Sequence, residues 1–218
     1  MGYNTGLIED CSFNGTIRTV GGFDYSTSIS PANGIGGICG ENAGGTIRGC
    51  TADGTIALAL EGDNWYIGGI CGYGSDGSQI EDCINHASVS VSITGQEGSY
   101  MSAHAGGICG GCQDVENYID HCLNTASIEA RTTIGITRVG GDCGWAGTCT
   151  DNGNTGASIY AGYGKKPSYM NSYASAVFGK GYTTGSTVLY DSESGTRTPA
   201  ATDWLQIRSA SEILSMWS

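Results

Sequence analysis

The chain has 218 residues and a formal charge of −12, from 21 acidic side chains against 9 basic ones. That balance offers no basic stripe for a nucleic acid, and no apolar run approaches the roughly 18 residues that a membrane helix needs. Glycine is the outlier, with 38 residues against 3 prolines, yet 39% of the chain is hydrophobic and recurs at regular positions, which excludes a disordered linker.

From the N-terminus, Met1 runs straight into a repeat fragment, Gly2-Tyr-Asn-Thr-Gly-Leu-Ile-Glu-Asp-Cys11. No signal peptide is recognisable, and a piece of a longer protein is expected. Four segments then align: Ile35-Gly-Gly-Ile-Cys-Gly40, Ile67-Gly-Gly-Ile-Cys-Gly72, Ala105-Gly-Gly-Ile-Cys-Gly110 and Val139-Gly-Gly-Asp-Cys-Gly144. A second element usually ends in cysteine: Thr46-Ile-Arg-Gly-Cys50, Gln79-Ile-Glu-Asp-Cys83 and Tyr118-Ile-Asp-His-Cys122. A third alternates with period two, as in Ala87-Ser-Val-Ser-Val91 and Ala126-Ser-Ile-Glu-Ala130. Short alternating runs bounded by glycine predict half-buried strands.

Copies recur at intervals of 18 to 38 residues, which suits one solenoid coil of about three short strands with insertions at one corner. Gly162-Tyr-Gly resembles Gly72-Tyr-Gly, and Ser168 to Tyr173 tracks Ser78 to Cys83, which extends the array. The first-cysteine column then reads Met1, Cys39, Cys71, Cys109, Cys143 and Ala161, and the second reads Cys11, Cys50, Cys83, Cys122, Cys149 and Tyr173. A single coil cannot bury its apolar side chains, whereas stacked coils share one core and pair their backbones. The predicted fold is all-β: a right-handed parallel β-solenoid (β-helix) of about six to seven coils, with a short C-terminal helix or capping segment.

Parity puts Cys83, Ala87, Val89 and Val91 inward, and likewise Ile35, Ile67, Ala105 and Val139 with the first-column cysteines. Ile38, Ile70, Ile108 and Asp142 fall on the other parity. Either they form a short external ladder, as Asp142 argues, or a local bulge turns them inward. Insertions are read as loops around Gly62 to Tyr66, Gly95 to His104 and Thr132 to Arg138, where binding would be expected. Trp65, Tyr66, Tyr100 and Met101 are the candidate contact residues, with edge packing as the alternative use of those side chains. Beyond Tyr173 the pattern decays to Thr187-Val-Leu-Tyr-Asp-Ser-Glu-Ser-Gly195. Ser209 and Glu212 then have capping-box spacing ahead of Ile213, Leu214 and Trp217, so a short helix is predicted. Residues 2–195 are read as the repeat array. Residues 196–218 either cap its open end or begin another domain.

Gly36-Gly-Ile-Cys-Gly40 and Gly45-Thr-Ile-Arg-Gly-Cys50 through Gly54-Thr-Ile56 resemble the GLUG repeat family, and Tyr190-Asp-Ser-Glu-Ser-Gly195 looks like the ending that often closes such arrays. The resemblance covers residues 2 to 195. It implies large extracellular bacterial proteins such as adhesins, haemagglutinin-like surface proteins and accessory regions of an immunoglobulin A protease group. The chain departs by placing cysteine where the family usually has valine. No catalytic motif carries over: His-Glu-x-x-His is absent, and His86, His104 and His121 have no metal-binding partner at helical spacing.

The 10 cysteines admit three readings. Disulfides within a coil would pair Cys39–Cys50, Cys71–Cys83, Cys109–Cys122 and Cys143–Cys149, leaving Cys11 and Cys112 over; the two columns lose cysteine together in the copy with Ala161 and Tyr173, which supports this pairing. Each such loop would contribute roughly 3 kcal/mol in the chain-entropy model and would imply an oxidising compartment. Alternatively the cysteines are small buried hydrophobes stacked in ladders. A zinc site of Cys109, Cys112, His121 and Cys122 is the third reading.

The leading functional expectation is a non-catalytic structural or adhesive module of a secreted or surface-displayed bacterial protein. Its expected partners are a glycan or surface protein and the neighbouring domains of a longer chain, without nucleic acid, membrane insertion or cofactor. The runner-up is a carbohydrate-active enzyme, a polysaccharide lyase or hydrolase on a β-helix. Its acids would come from the outward column Glu9, Arg48, Glu81 and Asp120 and the adjacent Asp10, Asp82 and His121. Calcium binding at Ser75-Asp-Gly-Ser78 or Asp151-Asn-Gly-Asn154 is weaker, since both are ordinary turn chemistry.

Overall fold

The computed structural model of the chain describes residues 2–20, 33–62, 64–95, 101–145, 147–156, 158–165, 173–175, 181–183, 187–190, 195–197 and 205–218. Its strands stack in register into four faces. The long face contains Ser12–Arg18, Thr51–Glu61, Ile84–Asn85 with Ser88–Thr94, the first half of Ile128–Gly140, Ser158–Lys165 and Thr187–Tyr190. The return face contains Asn33–Gly36, Asn64–Gly68, Met101–Gly106, the second half of Ile128–Gly140 and Tyr173–Ser175. The cysteine face contains Tyr3–Asn4, Cys39–Ala43, Cys71–Ser75 and Cys109–Cys112. The short face contains Leu7–Glu9, Thr46–Arg48, Gln79–Glu81, Tyr118–Asp120 and Thr148–Thr150. Pairing on all four faces is parallel; among the described strands the antiparallel exception is Gly195–Arg197 against Thr187–Tyr190. The fold is thus an all-β parallel solenoid with a short C-terminal helix.

Period-two alternation creates the first core. Along Ser88–Thr94 the side chains of Val89, Val91 and Ile93 are buried while Ser90, Ser92 and Thr94 are exposed. Val91 lies in register between Leu58 and Ala130. These long-face residues pack against Trp65, Ile67, Ala103, Ala105 and Val139 of the return face. A second core gathers the column Ile8, Ile47, Ile80 and Ile119 with the cysteines and Ile38, Ile70 and Ile108. Each isoleucine so buried stabilises the fold by about 1.5–3 kcal/mol.

The glycines of the repeated motif close the return face onto the cysteine face. A Cβ built on Gly68 would lie 2.0 Å from the Cys71 carbonyl oxygen, one on Gly106 2.0 Å from that of Cys109, and one on Gly140 1.9 Å from that of Cys143. From the other side, a Cβ on Gly72 would lie 2.2 Å from the Ile35 nitrogen, and one on Gly110 2.2 Å from that of Ile67. The two backbones touch directly, with no room for side chains between them. A second device turns each short strand into the long face: Asp10, Gly49, Asp82, His121 and Asp151 stack at one corner with φ of 52°, 61°, 51°, 48° and 50°. Glycine and aspartate tolerate this left-handed backbone better than most residues.

Several expectations are corrected. Coils carry four strands, because the corner stretches read as loops belong largely to the return face. Asn64–Gly68 and Met101–Gly106 are strands, and Thr132 to Arg138 lies within the continuous strand Ile128–Gly140. Ile38, Ile70 and Ile108 turn inward and are buried, as is Asp142, because the chain reverses at the preceding glycines. Ala161 pairs with Ala130 on the long face and Tyr173 with Arg138 on the return face, so neither continues a cysteine column. Cys149 aligns with Ile119, in the isoleucine column; below Cys122 stands Asn152, whose side-chain oxygen accepts from the Cys122 N–H at 2.8 Å. Met1 lies outside the described residues.

The C-terminal helix Ala210–Leu214 begins at the expected capping box, Ser209 with Glu212. Trp217 then stacks on His121 at 4.9 Å and donates its indole N–H to the His121 carbonyl at 2.8 Å. His121 lies three coils back from Leu205–Ile207, the strand that precedes the helix. The helix end therefore rests on the flank of the stack.

Candidate functional site

Two outward columns meet where the return face folds onto the cysteine face. One runs Gly34, Tyr66, His104, Arg138 and the other Glu41, Tyr73, Gly111. Trp145, beyond Cys143, joins the second. Their side chains form one aromatic cluster. Tyr66 stacks on His104 with centroids 4.7 Å apart and planes at 8°, and meets Tyr73 at 4.6 Å. His104 meets Trp145 at 5.3 Å, and the Arg138 guanidinium lies over the Trp145 ring at 5.0 Å. Gly111 makes the space, since a Cβ there would lie 2.8 Å from the Tyr66 ring. Tyr66, Tyr73, Trp145 and Arg138 are half-buried, whereas His104 is 2% exposed and its Nδ1 has no hydrogen-bond partner. Burial, reinforced by the Arg138 charge, holds the imidazole down to about 3, so it is neutral at ordinary pH. Burial pushes Tyr73 up to about 12.

Among the described candidate contact residues, Tyr66 alone stands in this cluster. Trp65 and Met101 are buried in the first core, with the Trp65 indole donating to the Gly62 carbonyl at 2.9 Å. Tyr100 lies outside the described residues. Tyr73 and Trp145 were not singled out by sequence, and His104 and Arg138 entered there as the ends of binding-loop stretches, with His104 also weighed as a metal ligand. The aligned copies hold their signal, since each occupies an equivalent position beside the Gly-Gly-x-Cys-Gly motif.

The carboxylates considered for catalysis line the short face and its corner. Glu9, Arg48, Glu81 and Asp120 are in register. Arg48 Nε donates to Glu9 at 3.0 Å, and His121 Nδ1 lies 2.8 Å from Asp82. All four of these partners have side chains more than two-fifths exposed. Buried amides run inside the stack. Asn85 donates to Asn124 and Asn124 to Asn154, each at 2.8 Å, which satisfies the polar groups coil by coil.

The sulfurs of the 10 cysteines lie in two rows, inside the stack for all but the exposed Cys11. Cys39, Cys71, Cys109 and Cys143 align in the first row. Cys112 enters that row with its sulfur 4.0 Å from Cys109 and also touches Cys143, which touches Cys149. The second row is Cys11, Cys50, Cys83 and Cys122, with each backbone N–H donating to the next sulfur at 3.4 Å. Sulfur contacts set the acidities. The hydrogen bond from Cys112, with that from Cys71, brings Cys109 down to about 6, while contact with Cys109 pushes Cys71 and Cys112 up. Of the within-coil pairs, Cys143 and Cys149 have sulfurs in direct contact. The sulfur contacts of Cys39 and Cys50 run instead to Cys71 and Cys83 in the next coil. Among the described residues no three of His, Cys, Asp or Glu are arranged to hold a metal ion.

Comparison with known proteins adds one match. The model of the GLUG motif fits residues 31–57, whose described part runs from Asn33 on the return face through the glycine seam and the cysteine and short faces into the long face. No curated protein and no solved structure matches the chain. The matched stretch is one circuit of the stack, further copies lie on it in register, and the chain carries the GLUG motif over residues 31–57.

Proposed function

We propose that the chain is a non-catalytic structural and adhesive module of a bacterial secreted or cell-surface protein, and that it holds a glycan or surface protein on its aromatic columns. The observation that carries this reading is the cluster of Tyr66, Tyr73 and Trp145 beside Arg138, half-buried on a rigid stack. Ring faces pack on the C–H face of a sugar, and a guanidinium matches a carboxylate. Tyr100, outside the described residues, is kept as a further contact candidate. The winding is taken as right-handed, with six to seven coils over residues 2–195 and a capping segment over 196–218. A stack whose strands all pair along one axis suits a spacer, which favours display outside the cell.

A glycan array probed with the purified chain tests the reading. Binding to a small set of glycans is expected, with Trp145→Ala weakening it at least tenfold. Binding that Trp145→Ala leaves unchanged would remove the aromatic columns from the proposal. Turnover of an acidic polysaccharide by the chain, with loss of activity in Asp82→Asn, would overturn the non-catalytic reading.

A further inference from the structure

The within-coil scheme leaves Cys11 and Cys112 without partners, whereas the sulfur contacts leave no cysteine over. In the first row Cys39 neighbours Cys71, Cys71 neighbours Cys109, Cys109 neighbours Cys112 and, across an isolated bridge, Cys143, and Cys143 neighbours Cys112 and Cys149. The second is Cys11, Cys50, Cys83, Cys122. Such rows can be paired completely in one way: the end residues Cys39 and Cys149 take Cys71 and Cys143, which leaves Cys109 with Cys112, and in the second row Cys11 and Cys122 take Cys50 and Cys83. Cys39–Cys71 are in register on adjacent strands and Cys11–Cys50 and Cys83–Cys122 directly precede in-register pairs, where Cα atoms lie about 4.8 Å apart, inside the range of about 4.4–6.8 Å that disulfides occupy; Cys109 and Cys112 share a strand and meet through their sulfurs.

From the register and the sulfur contacts we infer that oxidation pairs Cys39–Cys71, Cys109–Cys112, Cys143–Cys149, Cys11–Cys50 and Cys83–Cys122, so that covalent staples run along the axis between coils. The oxidant is a small-molecule disulfide. Cys11, the exposed member, is the entry to the second row. Its thiolate attacks the oxidant, forms a mixed disulfide and releases one small thiol. The Cys50 thiolate attacks the Cys11 sulfur, forms Cys11–Cys50 and releases the second. Cys83 then attacks Cys50 and frees Cys11, and Cys122 attacks Cys83 and frees Cys50. A second oxidant molecule closes Cys11–Cys50 again. Each bond sends two electrons and two protons from the chain to one oxidant disulfide, which leaves as two thiols. The first row is buried throughout and pairs in the same way while the chain folds, before its sulfurs are enclosed. The inference is independent of the adhesive reading, since it needs no ligand.

The test is to reduce the full chain in denaturant, refold it in a glutathione redox buffer, alkylate remaining thiols and map linked peptides without reduction. The expected map holds the pairs above and no alkylated cysteine. Links Cys39–Cys50, Cys71–Cys83 and Cys109–Cys122 would overturn the inference, as would complete alkylation of all ten. Cys71→Ser distinguishes the schemes again: Cys39 should become alkylated and Cys83 stay protected, and the reverse would overturn it. Should that variant not refold, Cys11→Ser changes an exposed residue. Its leftover thiol should map to Cys50, Cys83 or Cys122, and a leftover at Cys112 would decide for within-coil pairing.

Discussion

Replacing Gly106 by alanine should cost far more than a methyl group ordinarily does. The new Cβ would stand 2.0 Å from the Cys109 carbonyl oxygen and 2.7 Å from that of Asp142. Ordinary C···O contacts lie near 3.3–3.6 Å, so the first overlap exceeds about 1 Å. Both obstacles are backbone, and no rotamer change relieves them. The return and cysteine faces must part by about that distance, and gaps of about 0.5–1 Å already forfeit a quarter to a half of a contact's attraction. Because Gly68 and Gly140 flank Gly106 in register, the gap spreads into neighbouring coils. Overpacking usually costs about 1–3 kcal/mol, and this geometry places Gly106→Ala above that range, at about 3–5 kcal/mol. With a urea m-value of about 2–3 kcal/mol/M, the midpoint should fall by about 1–2 M in melts followed by circular dichroism. Gly6→Ala is the control: nothing lies within 4 Å of its Cβ, and its stability should stay within about 0.5 kcal/mol of the parent. A Gly106→Ala loss below about 1 kcal/mol would refute the direct backbone contact between the two faces.

Two further outcomes follow from burial. His104 is neutral and enclosed, with its folded value near 3 against about 6.5 when unfolded, so the unfolded chain binds the extra proton between those values. Stability from this group is complete above about pH 6.5 and drains away toward pH 3; urea melts should show about 2 kcal/mol lost between about pH 7.5 and pH 5, and His104→Phe should lack that part of the slope. Ile80 lies between Ile47 and Ile119, which the strand ladder holds in place, so Ile80→Ala should leave an unfilled cavity and cost about 2–5 kcal/mol by the same melts.

The parts of this fold that were legible in the sequence are those where one residue type answers one backbone demand. Gly-Gly-x-Cys-Gly marks the seam because a Cβ cannot enter it, and Ser209 with Glu212 marks the helix start because their side chains satisfy each other's backbone. Cys39, Cys71 and Cys109 align because equal copies stack in register. The return face was hidden for a physical reason. Its strands carry Trp65, Tyr66, Met101 and His104 beside glycine, a mixture that reads as loop, and both surfaces of the strand are covered, so polarity does not alternate. The similarity of Gly162-Tyr-Gly to Gly72-Tyr-Gly misled in the other direction: Ser158–Lys165 is held by its pairing with Ile128 to Ile134, which three shared residues cannot reveal. Tyr66 was legible as a contact candidate because it is aromatic. Tyr73, Arg138 and Trp145 join it only through the folding of one face onto the other.

The fourth copy shows how such a stack accommodates change. There Asp142 replaces isoleucine, Cys149 takes an isoleucine position and Asn152 a cysteine position. Alone, a carboxylate or amide buried at 0% exposure would cost several kcal/mol. Together they satisfy one another. Asp142 accepts from the Cys143 N–H at 2.8 Å and from Asn152 Nδ2 at 3.2 Å, and Asn152 Nδ2 donates to the Ile119 carbonyl at 3.0 Å. The amide oxygen takes over from sulfur as acceptor for the backbone N–H of the preceding coil, at Cys122. Changes in one column therefore constrain those beside it. Asp142→Ile alone would strip Asn152 of a partner inside the stack, and the double change Asp142→Ile with Asn152→Cys restores the pattern of the neighbouring coils.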